Sequence, residues 1–214
     1  MLHIQHFSTD GHLPRQRLEY WNELTSETLT EQIAEPADPL TFCDRIRRTN
    51  LGDVGIAKVT ATASVVTHSK AHVSHSREAL YIVRLPIVGP ITIQQGGRES
   101  RLSSGDFSLC DASRPYKLLM GRGATVLTLR IPRARLTRYI AFPEAVASTV
   151  IAANSAAGGL TSRFLQDLWR STDQMRAPDA ARRYGEIALQ LIASSYAELP
   201  RAGLASTTVA SMKP

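Results

Sequence analysis

The stretch that decides the fold runs from Ile91 to Leu118 and reads ITIQQGGRESRLSSGDFSLCDASRPYKL. Its glycine pair at 96–97 allows the positive φ that a tight hairpin needs, and Ser-Gly-Asp at 104–106 repeats this device. Residues 107–112 then alternate in character, which is typical of a strand with one face toward a core. Pro115 interrupts the pattern because proline donates no backbone hydrogen bond. The stretch predicts short antiparallel strands joined by tight turns.

Similar strand patterns occupy much of the first 132 residues. A hairpin is predicted from a strand near 40–49, a turn at Asn50–Asp53 and a β-branched run over 54–66. Further strands are predicted near 79–86, 91–95, 99–102, 106–111, 115–120 and 124–131. About eight short strands at this spacing indicate a sandwich or barrel.

Helical periodicity flanks the β region on both sides. Residues 14–33 predict an amphipathic helix with an acidic outer stripe of glutamates four apart. After Pro132 the sequence predicts a short helix over 133–140, an alanine-rich stretch, a helix over 161–175, and a last helix that starts near Pro178. Because few residues join the last two helices, we expect an antiparallel pair.

Composition restricts the class of protein. The chain has 214 residues, a formal charge of +6 and two cysteines, Cys43 and Cys110, which we expect to be free, buried thiols in a reducing compartment. No basic segment followed by an apolar segment opens the chain, and no apolar run is long enough to span a membrane, so a cytoplasmic protein is expected. The basic residues are scattered and favour a solvated surface over a nucleic-acid site.

The corners of the opening stretch resemble a family signature. Gly105–Asp106, then Asp111, then Arg114–Tyr116 (Arg-Pro-Tyr) is similar to the pattern in the ligand-sensing domain of the AraC/XylS family of bacterial transcription factors. Three further segments resemble that domain's opening helix, central strand and last barrel strand: RLEYW at 17–21, YIVRLPIVG at 81–89 and LRIPR at 129–133. The resemblance covers roughly residues 16–199.

The resemblance implies a mostly β fold with α: a small cupin-like β-barrel with an N-terminal helix and a C-terminal antiparallel helix pair. It divides the chain into a sensing barrel with its helix (1–132), a helical dimerisation region (133–199) and a linker (200–214). In the family, a DNA-binding region with two helix-turn-helix units follows. Fifteen residues remain after Leu199, too few for one such unit. We therefore expect a truncated regulator or a free-standing sensor.

Polar residues within the apolar strands are candidates for contacting a small ligand in the barrel. The predicted ligand-binding residues are Tyr81, Arg84, Ser108, Cys110 and Tyr116.

Arg84 needs an acidic partner if its side chain points inward, because an unpaired buried guanidinium costs several kcal/mol. That partner is a ligand carboxylate or a carboxylate of the chain, Asp111 or Glu99, and pairing within the chain is favoured. Asp106 is interpreted as a turn-stabilising residue. We expect Asp111 and Arg114 to tie the strand end together.

Three histidines, His68, His72 and His75, lie close to Glu78 and suggest a metal site such as enzymatic cupins contain. A later strand would have to supply another histidine, and Ser108 stands at that position. We therefore interpret the three histidines as incidental residues of a surface loop. No nucleophile, phosphate-binding or dinucleotide motif is recognisable, so no catalytic residue, metal or cofactor is predicted.

The helices after the barrel carry the candidate dimer interface that the resemblance implies. Its residues are Phe164, Leu168, Trp169, Leu191 and Tyr196. The alternative, that these side chains cover the barrel within one subunit, is equally consistent with the sequence.

The leading hypothesis is an effector-binding and dimerisation domain of an AraC/XylS-like regulator. Its expected partners are a small-molecule effector such as an organic acid or aromatic compound, a second copy of the chain, and promoter DNA through a domain absent from this sequence; no membrane partner is expected. The alternatives are a metal-dependent cupin enzyme, such as an isomerase or dioxygenase, and a dimerisation module that binds no ligand.

Overall fold

The computed structural model describes residues 2–76 and 78–199 and is built on two antiparallel sheets. The strands are β1 (Gln5–Ser8), β2 (Ile33–Pro36), β3 (Arg45–Leu51), β4 (Val54–Ala61), β5 (Ser64–His68), β6 (Leu80–Val88), β7 (Ile91–Gln95), β8 (Arg98–Leu102), β9 (Phe107–Asp111), β10 (Tyr116–Met120), β11 (Ala124–Pro132) and β12 (Val150–Ile151). The α-helices are α1 (Pro14–Thr28), α2 (Lys70–His75), α3 (Arg133–Leu136), α4 (Pro143–Val146), α5 (Ala156–Ser171) and α6 (Pro178–Ala197).

The larger sheet has seven strands in the order β1-β3-β4-β11-β6-β9-β12, and the smaller has five in the order β2-β5-β10-β7-β8. Among the described strands no pairing joins one sheet to the other, so the sheets face each other without closing into a hydrogen-bonded barrel. The prediction of a mostly β, cupin-like fold with helices at both ends is confirmed.

The stretch from Ile91 to Leu118 forms β7, β8, β9 and the start of β10, as its turn chemistry predicts. Gly96 and Gly97, at the β7–β8 turn, have φ of 61° and 77°, and Gly105 before β9 has φ of 89°. These positive angles suit glycine because a Cβ would clash with the backbone. Asp106 also stabilises its turn as predicted, since its Oδ2 accepts from Ser103 N at 2.9 Å.

The seven-stranded sheet is the central layer of the domain. One face packs on the five-stranded sheet and α1 through side chains such as Trp21, Ile82 and Leu118. The opposite face packs on α5 and α6 through side chains such as Leu129 and Leu165. Adjacent strand residues belong to different cores because side chains alternate across a sheet.

The C-terminal helix approaches the central sheet through a glycine. A Cβ built on Gly185 of α6 would lie only 2.6 Å from the carbonyl oxygen of Leu51, at the end of β3. Glycine therefore sets the distance between the helix backbone and the sheet. No helix in the described ranges is long and apolar enough to cross a membrane.

Several elements differ from the sequence-based expectation. Strands β1, β2 and β12 are additional; each has four residues or fewer. The first helix ends at Thr28 rather than residue 33, and α5 begins at Ala156, within the alanine-rich stretch. Residues Lys70–His75, expected in a loop, form α2, which Ser69 caps. The predicted linker at 200–214 lies outside the described residues.

Candidate ligand site between the two sheets

A row of cross-strand neighbours runs over the inner face of the central sheet, the face toward the smaller sheet. Arg48 of β3 pairs with Ala57 of β4, which pairs with Thr128 of β11. Thr128 pairs with Arg84 of β6, and Arg84 pairs with Ser108 of β9. Since directly paired residues of adjacent strands project to the same face, five strands contribute to one row.

Arg84 is the buried cation of this row. It is 3% exposed, and its Nη1 donates to Thr128 Oγ1 at 3.1 Å. Its Nε and Nη2 are buried and have no hydrogen-bond partner among the described residues. These two nitrogens form one edge of the guanidinium, the edge that binds a carboxylate through two parallel hydrogen bonds. Thr128 therefore holds the group in place while a complete bidentate donor edge stays free.

Neither Asp111 nor Glu99, the two carboxylates that the sequence offered as partners, pairs with Arg84. Asp111 lies on the opposite face and pairs with Arg133 at 3.3 Å, whereas Glu99 pairs with Arg101 at 3.0 Å on the exposed side of the smaller sheet. The preference for pairing within the chain was therefore wrong, because strand alternation turns both acids away from the interior. Asp111 also accepts from Ser113, and the Arg114 backbone amide donates to the Asp111 carbonyl at 3.2 Å, so these two residues tie the strand end as expected, with Arg133 as the cation on the carboxylate.

Three other predicted ligand residues are neighbours of Arg84: Ser108 is its cross-strand partner, and Cys110 and Tyr116 are close enough to feel its charge. Ser108 Oγ is buried and has no hydrogen-bond partner within the part of the chain that the structure describes. Burial raises the pKa of the Cys110 thiol to about 11 and that of Tyr116 to about 12, and in both cases the nearby charge of Arg84 opposes the rise. The Tyr116 hydroxyl donates to Gln32 Oε1 at 3.3 Å. Both the thiol and the phenol stay neutral at neutral pH, so they offer polar contacts without negative charge.

Tyr81 is the predicted ligand residue that the structure does not bring to this group. Its hydroxyl donates to Glu144 Oε2 at 3.3 Å, and the Arg133 guanidinium lies 4.8 Å from its ring centre. It sits on the helix side because odd-numbered residues of β6 face the helices. Strand β6 is buried on both faces, so its sequence does not reveal which residues point inward.

Arg84 lines an interior cavity of about 30 Å³. That volume accommodates about two water molecules. The lining is mostly apolar, with a few polar groups: Trp21, Thr25, Leu29, Gln32, Asp44, Val59, Ala61, Ser64, Val66, Arg84, Leu118, Met120 and Val126. An apolar enclosure with few polar groups is the usual composition of a small-molecule site.

Asp44 is a second buried ionisable residue of this lining. It is 1% exposed, and burial raises the pKa of its carboxyl to about 6, against the lowering effect of hydrogen bonds from Thr62. The Thr62 amide donates to Asp44 Oδ1 at 2.6 Å. Among the described residues Asp44 forms no ion pair with Arg84. The two charged groups of the cavity do not neutralise each other.

The histidines do not form the surface loop that the sequence suggested. His68 is fully buried and stacks on Tyr116 with ring centres 4.9 Å apart. Its ring nitrogens contact the backbone carbonyls of Glu31 and Ala112. In the described ranges no group of three histidine, cysteine or acidic residues could hold a metal ion.

Of the two cysteines, the prediction of buried free thiols holds for Cys110 and was wrong for Cys43. Cys43 is exposed, and its Sγ lies 2.8 Å from Asp10 Oδ1.

The candidate dimer residues divide into two groups. Leu168, Trp169 and Tyr196 are each 4% exposed and pack against the central sheet. Phe164 and Leu191 are only partly buried. The most exposed apolar side chains of the same two helices are Leu160, Tyr184 and Ile187, at 55%, 42% and 39%.

Thr128 and Leu29 are site residues that sequence reasoning missed. Thr128 interrupts the apolar run of β11 as Arg84 interrupts that of β6, so the same pattern could have identified it. Leu29 lines the cavity because α1 ends at Thr28, and no local sequence pattern predicts that contact.

Comparison with known proteins identifies the family. Residues 21–195 match the family described as "AraC-binding-like domain". A curated relative, "Uncharacterized protein in nit 5'region" of Bacillus sp. (strain OxB-1), is 31% identical over 122 residues, which are 57% of this chain and 47% of that protein. The match thus spans about half of the relative's length.

A solved structure agrees with the fold. The AraC-like transcriptional activator CuxR superposes with a TM-score of 0.79 at 16% identity, over 91% of this chain and 71% of CuxR. KdgF from Halomonas sp. matches with a TM-score of 0.34 at 17% identity over 42% of this chain and 79% of KdgF, too distant to support an argument. The chain belongs to the AraC-binding-like domain family, a family of regulatory effector-binding domains with a cupin-like fold.

Proposed function

We propose that this chain is the effector-binding and dimerisation part of an AraC/XylS-like transcription regulator that acts in the cytoplasm, and that its effector carries a carboxylate. Residues 1–132 sense the effector, residues 133–199 dimerise, and residues 200–214 lead to a DNA-binding domain. The family match supports the regulatory role. Arg84, Ser108, Cys110 and Tyr116 are the proposed ligand-binding residues, and no residue is assigned a catalytic role.

The free edge of Arg84 is the observation that carries the carboxylate. A buried guanidinium without an acidic partner is costly, and a bound carboxylate removes that cost with two charge-assisted hydrogen bonds. The surrounding thiol and phenol are neutral and do not repel an anion, and burial disfavours the charged form of the Asp44 carboxyl that lines the same cavity. Amines and neutral sugars lack the negative charge that this edge requires.

The outer surface of the helix pair is the proposed dimer interface. Phe164 and Leu191 keep their place in it, and the exposed Leu160, Tyr184 and Ile187 join them. Leu168, Trp169 and Tyr196 support the interface from beneath, because they are already buried against the sheet. Exposed apolar side chains on adjacent helices are a common feature of protein interfaces.

Effector binding regulates by shifting a conformational equilibrium. A carboxylate that binds one arrangement of α1 and the helix pair better than another favours that arrangement by its difference in binding free energy. In a dimer, this shift sets how the two attached DNA-binding domains are spaced.

Thermal unfolding with formate, ethylamine and glucose, each against sodium chloride at equal ionic strength, tests the carboxylate site. At a tenfold excess over its Kd, formate is expected to stabilise the chain by about 1.4 kcal/mol, or roughly 3–6 °C in Tm. Ethylamine and glucose are expected to leave Tm unchanged. Arg84→Met should abolish the formate effect, and an equal formate shift in that variant would refute the site.

Light scattering of the wild type and of Ile187→Glu tests the interface. The wild type is expected to be dimeric, and the variant monomeric because the new carboxylate would be buried unpaired. Arg183→Glu, which adds a carboxylate at an exposed position of the same helix, is the control and should stay dimeric. The neighbouring Glu186 is not used because it pairs with Arg135. A monomeric wild type would refute dimerisation.

A further inference from the structure

The end of α1 separates the interior cavity from two cavities outside. One, of about 130 Å³, is lined by Arg48, Thr128 and Arg130 among others, and another, of about 430 Å³, lies between α1 and the residues before β6. Leu29 lines both of these cavities and also the interior cavity beside Arg84. It is 5% exposed. Its side chain is therefore a shared wall between the interior and the outside.

Two arginines of the central sheet hold this end of α1. Arg48 Nη1 donates to the Thr28 carbonyl at 3.3 Å, and Arg130 Nε donates to the Leu29 carbonyl at 3.1 Å. The last carbonyls of a helix have no partner within the helix and carry partial negative charge, so cations there are favourable. These hydrogen bonds keep Leu29 in place over the cavity.

The same arginines make the approach to the interior basic. Burial lowers the pKa of Arg48, and repulsion from Arg130 lowers it further. Glu78 pairs with Arg130 at 2.6 Å, whereas no carboxylate in the described ranges pairs with Arg48. Arg48 and Arg84 belong to the same cross-strand row. A carboxylate that reaches Arg48 is therefore attracted along the row.

The interior cavity is too small for most organic acids. Room for about two water molecules suits the two oxygens of a carboxylate head and little else. Most side chains around that head, including Trp21, Leu118 and Met120, are apolar. The body of a larger acid can gain space where the Leu29 side chain now lies, because Leu29 lines the interior cavity and both cavities beyond it.

From these contacts we infer that Leu29 is the gate of the carboxylate site and that the effector is an acid with an apolar body that displaces it. Displacement releases the end of α1 from Arg48 and Arg130, which converts binding into a movement of the helix. This inference rests on the proposed carboxylate site at Arg84.

Calorimetric titration with formate and phenylacetate tests the gate. Formate has a head alone, and phenylacetate adds an apolar body. Leu29→Ala is expected to tighten phenylacetate binding by about tenfold, because the ligand no longer has to move the side chain, and to change formate binding by less than about twofold. Leu24→Ala is the matched control, since Leu24 is a buried leucine of the same helix that lines none of the three cavities.

Amide hydrogen exchange supplies a second readout on the wild-type chain. The amides of Leu29 and Thr30 both donate to the Thr25 carbonyl, at 2.9 and 3.3 Å. Phenylacetate is expected to speed exchange at these two amides by about tenfold, and formate is expected to leave them protected. Unchanged exchange with bound phenylacetate would refute the movement of α1.

The outcomes separate the gate from the site itself. If both acids bind through Arg84 and Leu29→Ala affects phenylacetate no more than Leu24→Ala does, the gate is refuted and the carboxylate site stands. If neither acid binds any variant, or if Arg84→Met binds both acids unchanged, the carboxylate site is refuted and the gate with it. Tight phenylacetate binding in Leu29→Ala that Arg84→Met removes supports both.

Discussion

The two faces of the central sheet differ in whether their buried arginines have carboxylate partners. On the helix side three arginines that pack against the sheet have carboxylate partners: Arg47 pairs with Asp173, Arg133 with Asp111, and Arg135 with Asp53 and Glu186. On the inner side Arg130 pairs with Glu78, but the more deeply buried Arg84 has no carboxylate partner among the described residues and donates to the Thr128 hydroxyl. The helix side therefore satisfies its charges within the chain, whereas the inner side leaves a charge for a ligand to satisfy.

This difference indicates how stability and binding are divided. The helix side combines apolar packing with neutralised charges, both of which stabilise a folded domain. The inner side keeps unsatisfied donors at Arg84 and Ser108, which cost stability in the absence of a ligand. Substitutions on the two faces should therefore change different properties.

The largest expected effect lies on the helix side. Phe107 is fully buried and meets Tyr196 edge to face, with ring centres 6.2 Å apart. Phe107→Ala is expected to lower the free energy of unfolding by about 3–5 kcal/mol, because it removes apolar contact and leaves a cavity. Urea denaturation measures this loss. A loss below about 1 kcal/mol would show that the helix side does not dominate stability.

A pH-dependent effect is expected next, from Asp44 on the inner side. Its pKa is raised from 3.8 to about 6 in the folded chain, so the folded state binds the proton more tightly than the unfolded state. This contribution, up to about 3 kcal/mol, is fully present below pH 4 and is lost as the pH rises through about 6. Urea denaturation of the wild type and Asp44→Asn from pH 4 to 7 isolates it. Parallel pH profiles would contradict the prediction.

Replacing an arginine by methionine should change the free energy of unfolding in opposite directions on the two faces of the central sheet. Arg133→Met leaves the buried Asp111 without its cation and is expected to lower the free energy of unfolding by about 1–2 kcal/mol. Arg84→Met removes an unpaired buried charge and is expected to raise it by about 1 kcal/mol. Urea denaturation compares them at one pH. Destabilisation by both variants would erase the contrast between the faces.

The smallest stability effect is expected from Thr128→Val, which removes the hydroxyl that holds Arg84. The free energy of unfolding should change by less than about 1 kcal/mol. Formate affinity should fall about three- to tenfold, because Arg84 is no longer held in one orientation. Calorimetry measures the affinity, with Thr125→Val as a control on the same strand. An unchanged affinity would show that Thr128 does not position Arg84.

Local turn chemistry made much of the fold predictable. Glycine at positive φ specifies the turns around residues 96–97 and 105 whatever the rest of the chain does. The last helix starts at Pro178 as its sequence predicts, because proline suits the first helical turn. By contrast β2, only four residues long, depends on its neighbour β5, so its own sequence gives little sign of it.

The candidate site was predictable in composition more than in geometry. Arg84, Ser108, Cys110 and Tyr116 stand out as polar residues in apolar strands, and the structure brings them together. The direction of Tyr81 was not predictable, because β6 is buried on both faces. The role of Leu29 depends on where α1 ends and on which cavities meet there, which are tertiary properties.

Gly185 has a mechanical consequence for such a domain. With no Cβ between them, the α6 backbone rests almost directly on the end of β3, and any larger residue would have to push the two apart. Arg48 lies on the same strand, three residues before Leu51. Strand β3 thus contacts the end of α1 through Arg48 and contacts α6 through Leu51. A movement of β3 at Arg48 should therefore change the angle at which the helix pair packs on the central sheet.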